Sequence, residues 1–224
     1  MSQRLSADVT AAIEAFRAGE PVLIHDFDDR EGETDLLYPA SAVTPTAVAR
    51  LRNDAGGLLF VALSDAVASA FRLPLLHDNI ENPSNDHSDL RYDTRPSFSI
   101  SVNHRDTYTG ITDRDRSLTI RSLADAAAEA ITGSYDGADF GATFRTPGHV
   151  HLLKAAPGLF ENRRGHTEFG IALAEAADQA PAVAGCEMLD DATGGALSKH
   201  AARDYAERHG LAFVDGEALV EALS

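Results

Sequence analysis

Six short apolar runs limit what this chain can become. "PVLIH" (21–25), "LLFVALS" (58–64), "FSISVNH" (98–104), "HVHLL" (149–153), "PAVAGCEML" (181–189) and "LAFV" (211–214) are rich in Val, Ile, Leu and Phe, and none exceeds nine residues. That is strand length, too short for a buried helix. Between them lie segments with helical spacing: 7–18, 44–57, 115–131, 166–177 and 198–210, with a short helix in the tail. Thr44 and Pro45 form a cap and first-turn pair, while Gly19, Gly56 and Gly210 stand where helices would stop. Strands and helices interleave without a linker, a repeat or a low-complexity stretch. On pattern alone this is one α/β domain spanning 1–224.

Composition narrows the class. A hydrophobic content of 44% supports a core in a chain of 224 residues. No apolar run approaches the ~18 residues of a membrane span, and the N-terminus lacks a signal-peptide stretch, so a cytoplasmic protein is expected. The only cysteine, Cys186, excludes an intramolecular disulfide and a Cys-rich zinc site. It lies in an apolar strand, where burial should raise its thiol pKa and make it a poor nucleophile. A formal charge of -16 disfavours nucleic acid and anionic membrane as partners. Seventeen Arg stand against two Lys (Lys154 and Lys199), and 22 Asp against 13 Glu. This balance is that of a halophile's protein, kept soluble in concentrated salt.

Four features can carry chemistry. "DFDDREGETD" (26–35) puts six acids and one arginine into ten residues. It is either a solvated loop or a cation site, because crowded carboxylates repel unless something neutralises them. If 30–35 is extended, Glu31, Glu33 and Asp35 share one side. "NRRGHTE" (162–168) leads a basic pair through glycine into a helix start, either a simple cap or a phosphate cradle. His149 opens a strand after a turn, and either a structural or a functional role is open to it. Glu187, inside an apolar strand, must be paired or functional to offset its desolvation. The polar segment 77–97 is the one long loop, the kind that closes over a bound substrate. There is no G-x-S-x-G, no P-loop and no G-x-G-x-x-G.

Taken together, "DDREGETDLLYPA" (28–40), "TYTGITDRDRSLTI" (107–120), "RTPGHVHLLKAAPGL" (145–159), "RRGHTEFGIALAEAA" (163–177) and "CEMLDD" (186–191) resemble 3,4-dihydroxy-2-butanone 4-phosphate synthase of riboflavin biosynthesis. The resemblance runs from about residue 5 to the C-terminus, and the long 77–97 segment is similar to the archaeal branch. It implies an α+β fold with helices around a mixed sheet, and a homodimer with active sites near the subunit interface. It also implies a Mg2+- or Mn2+-dependent conversion, with two ions per site, of D-ribulose 5-phosphate to L-3,4-dihydroxybutan-2-one 4-phosphate and formate. Residue by residue, Glu31 and His166 match the metal-binding positions. Arg30, Asp35 and the loop Arg163, Arg164, Gly165, His166 and Thr167 match substrate-binding positions, with Glu31 and Glu187 beside them. His149 and Glu187 match the positions essential for catalysis, and Glu33 and Asp35 are acids of the same loop suited to proton transfer.

Two departures are visible. Phe60 and Ala62 stand where bacterial relatives tend to have cysteine, and Arg164 where some have Gly or Gln. A fused zinc-dependent GTP cyclohydrolase domain is not expected in a chain of this length with one cysteine. Two other classes use similar parts: a metal-dependent phosphosugar isomerase or aldolase, and a silent binding module on the same fold. Formate release separates the first, and the intact set Glu31, Asp35, His149, His166 and Glu187 argues against the second.

Overall fold

The computed structural model describes residues 5–27, 30–91, 93 and 95–224, so Asp28 and Asp29 of the acidic run lie outside the described residues. In chain order the elements are α1 (Ala7–Arg17), β1 (Val22–His25), β2 (Thr34–Pro39), α2 (Pro45–Arg50), β3 (Phe60–Leu63), α3 (Asp65–Ala70) and β4 (Phe98–His104). They continue with α4 (Asp113–Ile131), α5 (Gly137–Thr143), β5 (Phe144–Lys154), α6 (His166–Ala176), β6 (Ala182–Glu187), α7 (Lys199–His209), β7 (Ala212–Asp215) and α8 (Gly216–Leu223). Side-chain caps start several helices as their sequences suggest: Ser6 for α1, Thr44 for α2, Thr112 for α4 and Ser198 for α7.

One seven-stranded sheet runs in the order β4-β5-β3-β6-β2-β1-β7. Only β3–β5 and β1–β7 pair in parallel; the other four pairings are antiparallel. The sheet is therefore mixed and the fold α+β, as the family resemblance implies, where the interleaved pattern alone reads as α/β. Helices cover both faces. On one, Leu23, Leu36, Val61, Leu152 and Ala184 pack with side chains of α2, α3, α4 and α7. On the other, Ile24, Leu37, Phe60 and Val183 meet α1, α6 and α8 through Phe16, Phe169 and Leu219. Side chains alternate across each strand, so Leu36 and Cys186 fall on the first face while Asp35 and Glu187, paired in register, share the second.

β5 is longer than "HVHLL" alone suggests, because its first residues pair with the end of β4. The register jumps between Val102↔Val150 and Asn103↔Arg145, so 146–149 is pushed out as a bulge.

Candidate active site

The acidic run is the loop of the β1–β2 hairpin. Asp26 amide to Glu33 carbonyl (2.9 Å) closes it, and the turn folds Arg30 back onto Asp26 at 2.6 Å. The hairpin brings Glu31, Glu33 and Asp35 to one cavity of about 210 Å³, where they meet His166 and Thr167 from the start of α6. Glu187 at the end of β6 joins them, and Phe60, Phe98 and Leu153 supply the apolar wall. The expectation that these acids face one way holds, although the turn achieves it as much as the strand does.

His166 is 7% exposed and fixed at both ring nitrogens. Its Nε2–H donates to the Ile24 carbonyl at 3.2 Å, which leaves Nδ1 toward Glu31 Oε2 at 3.6 Å and Asp35 Oδ2 at 3.7 Å. A histidine that spends one N–H on a backbone carbonyl and aims the other nitrogen at carboxylates is set up as a metal ligand. Asp26, Glu31 and His166 each offer a ligand atom within 4.8 Å of the others. Asp35 is 1% exposed, and its Oδ1 is buried without a hydrogen-bond partner among the described residues. Such an orphaned oxygen, beside carboxylate and imidazole donors, fits a hard divalent cation. Asp26 was not singled out in the sequence; only the fold of the loop returns it to Glu31.

The electrostatics bear the marks of this crowding. Burial pushes Asp35 up, Glu187, Glu31 and Glu33 add to it, and His166 only partly offsets them, so its pKa stands at about 8. Burial alone would lower His166, but Asp35 first, then Glu31 and Asp26, raise it to about 9. Glu33 is raised by burial and by Glu31 and Glu187. Burial would also raise Glu31, but its contact with His166 and the nearby Arg30 outweigh this and hold it low. Raised values in the folded state stabilise it at low pH, and that stability is lost as pH rises through them. The ordinary His166 value is 6.5, so the melting temperature of chelator-treated protein should fall between pH 6.5 and about 9. Each extra proton held by the folded state makes the slope about 1.4 kcal/mol per pH unit. A flat or rising profile across that window would show that the buried pair holds no such proton.

Arg163 begins the second half of the site. Its Nη1 meets Glu168 Oε2 at 2.6 Å, and its Nε meets Asp93 Oδ2 at 2.5 Å. Glu168 is fully buried and also accepts from the Ala156 amide (2.9 Å) and the Gly165 amide (3.2 Å). A glycine N-cap followed at the third helical position by Glu is half of a capping box, the one signal by which Glu168 could have been found in the sequence. A Cβ on Gly165 would stand 2.6 Å from Arg163 Nη1 and 3.0 Å from Arg30 Nη2, so glycine is what lets both guanidinium groups approach the chain there. Arg164, by contrast, is exposed, and among the described residues it reaches only the Phe160 carbonyl, at 3.4 Å. Glu168→Ala should cost about 3–5 kcal/mol of stability, since it takes from Arg163 its fully buried partner and strands two amides, and a denaturant melt measures it. A loss below 1 kcal/mol would mean water replaces the carboxylate.

The remaining predicted residues are placed differently. Glu187 solves its desolvation problem by accepting the Leu58 amide at 2.7 Å. Cys186 is buried, and burial followed by Glu187 and Asp35 pushes its thiol to about 12, consistent with an inert role. His149 is exposed and does not line the cavity. β3 lies between β5 and β6, which separates its backbone from Glu187 by two strand spacings, about 9–10 Å. It is nonetheless a held residue. Asn103 Oδ1 accepts the His149 amide at 2.8 Å, and the Asn103 amide group faces His149 Nδ1 with Nδ2 at 3.1 Å and Oδ1 at 3.3 Å. Asn103 itself is 4% exposed and packs under Gly110, whose φ of +84° and lack of a side chain both suit that contact. Around this point Tyr108 is 95% and Ile111 50% exposed.

Comparison with known proteins decides the family. The family model described as 3,4-dihydroxy-2-butanone 4-phosphate synthase matches residues 10–222. The chain belongs to the 3,4-dihydroxy-2-butanone 4-phosphate synthase family. It is an enzyme of riboflavin biosynthesis, of the lyase class. The synthase of Archaeoglobus fulgidus is 50% identical over 96% of this chain and 93% of its own length. That of Methanosarcina mazei is 47% identical over 96% and 90%. A crystal structure of a synthase in complex with two magnesium ions superposes with a TM-score of 0.80 at 28% identity, covering 96% of this chain and 99% of that one. Among the described residues, no helix is long and apolar enough to cross a membrane.

Proposed function

We propose that this chain converts D-ribulose 5-phosphate to L-3,4-dihydroxybutan-2-one 4-phosphate and formate, using divalent magnesium or manganese, two ions per site. The observation that carries the reading is the meeting of Glu31, Glu33, Asp35, His166 and Glu187 in one cavity beside a half-buried arginine pair. The atoms of the substrate divide between the two products with nothing added, so no redox cofactor is needed. Glu31 and His166 hold metal, with Asp26 and Asp35 beside them. When bound, the ion polarises the carbonyl and hydroxyl oxygens of the sugar.

The chain's own groups do the rest. Arg30 and Arg163, with the Gly165–Thr167 segment, take the phosphate. Arg164 stays at the rim of that segment. Glu33, raised by burial and by Glu31 and Glu187, and Asp35, raised to about 8 by burial and by Glu187, Glu31 and Glu33, are the acids placed to hold and pass protons. Glu187, anchored by one oxygen on the Leu58 amide, is a further acid–base group whose position does not depend on substrate.

His149 completes the site from a second copy of the chain. Its exposed, Asn103-held ring and the flanking Tyr108 and Ile111 support a homodimer interface at this end of β4 and β5. The single catalytic domain works in the cytoplasm, and the charge of -16 with its arginine bias suits a salt-rich host. Mass spectrometry of the organic phosphate tests the reaction. A product one carbon shorter than ribulose 5-phosphate supports the proposal; an isomeric five-carbon sugar phosphate would replace it with an isomerase.

A further inference from the structure

His149 stands on the bulge that β5 forms against β4, and one buried side chain of β4 ties it there. The register passes from Val102↔Val150 to Asn103↔Arg145, so 146–149 is left over on β5. A bulge of this kind re-aims a side chain, and it needs a hold of its own because the ladder is interrupted. Gly148 supplies part of that hold. Its amide donates to Ser101 Oγ at 3.2 Å, and a Cβ there would run into the backbone of Val102 and Asn103. Asn103 supplies the rest: Oδ1 accepts the His149 amide, and the carboxamide covers His149 Nδ1. Gly110 closes over that carboxamide, which a side chain at position 110 would overlap.

Among the described residues, every hydrogen bond of the Asn103 side chain goes to His149. A buried amide is thus spent wholly on one exposed histidine. The main-chain bond sets where the residue sits. The contact at Nδ1 limits rotation of the ring, which the side-chain torsion itself leaves broad. With Nδ1 covered, Nε2 has no partner among the described residues and is the nitrogen left for chemistry. We infer that Asn103 is a positioning residue of the reaction, acting through His149 by presenting its Nε2 in one place and one orientation. A misplacement of about 1 Å in such a group costs about a hundredfold in rate. The inference rests on the reading of His149 as a group of the reaction that completes the site of a second copy.

Steady-state kinetics of the full chain test it. Asn103→Ala should lower kcat about a hundredfold, while KM for ribulose 5-phosphate and magnesium affinity change less than about twofold, because other residues hold substrate and metal. Adding Asn103→Ala to His149→Ala should cost no further activity, since Asn103 acts only through that ring. Refolding Asn103→Ala together with Glu187→Gln should restore about a quarter of the unaltered activity, and refolding it with His149→Ala should restore none. If Asn103→Ala melts below the assay temperature, Asn103→Ser carries the comparison; it keeps a polar group under Gly110 but is too short to reach the ring. An unchanged kcat, a further loss in the double variant, or recovery with His149→Ala would overturn the inference. So would absence of recovery with Glu187→Gln where His149→Ala does recover with it. The underlying reading fails separately: if His149→Ala and Glu187→Gln do not restore one another and the double variant is no worse than His149→Ala, Asn103 positions His149 within a single chain.

Discussion

Replacing Glu31 by Gln is expected to lower formate production about a thousandfold while leaving the protein folded. Gln keeps the shape of the side chain but removes the anionic oxygen that stands 3.6 Å from His166 Nδ1, in a group whose Asp26, Glu31 and His166 ligand atoms lie within 4.8 Å of one another. A neutral amide is a much poorer ligand for a hard divalent ion, so magnesium affinity should fall with activity. The fold should survive because Arg30 keeps Asp26 and Asp93 as partners. Initial rates with magnesium calorimetry check both halves. A variant that keeps a tenth of the activity, or binds magnesium unchanged, would remove Glu31 from the metal site.

The second large effect concerns the proposed homodimer. His149→Ala and Glu187→Gln should each be nearly inactive, yet unfolding and refolding them together should restore about a quarter of the unaltered activity. Half of randomly reassorted dimers are mixed, and each mixed dimer regains one intact site of two. The expectation follows from the placement of His149, which faces solvent two strands away from Glu187 in its own chain. No recovery from a properly mixed sample would mean that each chain builds its site alone.

Much of the scaffold was legible in the sequence. The alternation in "FSISVNH" places β4 at Phe98–His104, and the Thr44–Pro45 pair marks the start of α2. Local chemistry set these elements, so local patterns revealed them. β5 extends back to Phe144 because residues such as Arg145 find partners on β4, a long-range event that the polar "RTPG" stretch does not announce. α3 and α5 are short helices whose apolar sides become evident only against the core.

The site divides along the same line. Glu31, Glu33 and Asp35 were readable from two-residue spacing, and Arg163 to Thr167 from a basic pair before a helix start. Asp26, Asp93 and Asn103 were not, because each acts through a partner distant in sequence or across a turn: Arg30, Arg163 and His149. Charge and residue type are visible in a sequence, but pairing is not. An acidic chain with 35 carboxylates hides its few buried ones well.

The measurement closest to the central claim is formate release from D-ribulose 5-phosphate, followed with magnesium present and again after chelation. The account predicts one formate for each substrate consumed, lost with the chelator and recovered when magnesium is returned. Substrate consumed without formate, or formate released at the same rate in the chelated protein, would contradict it.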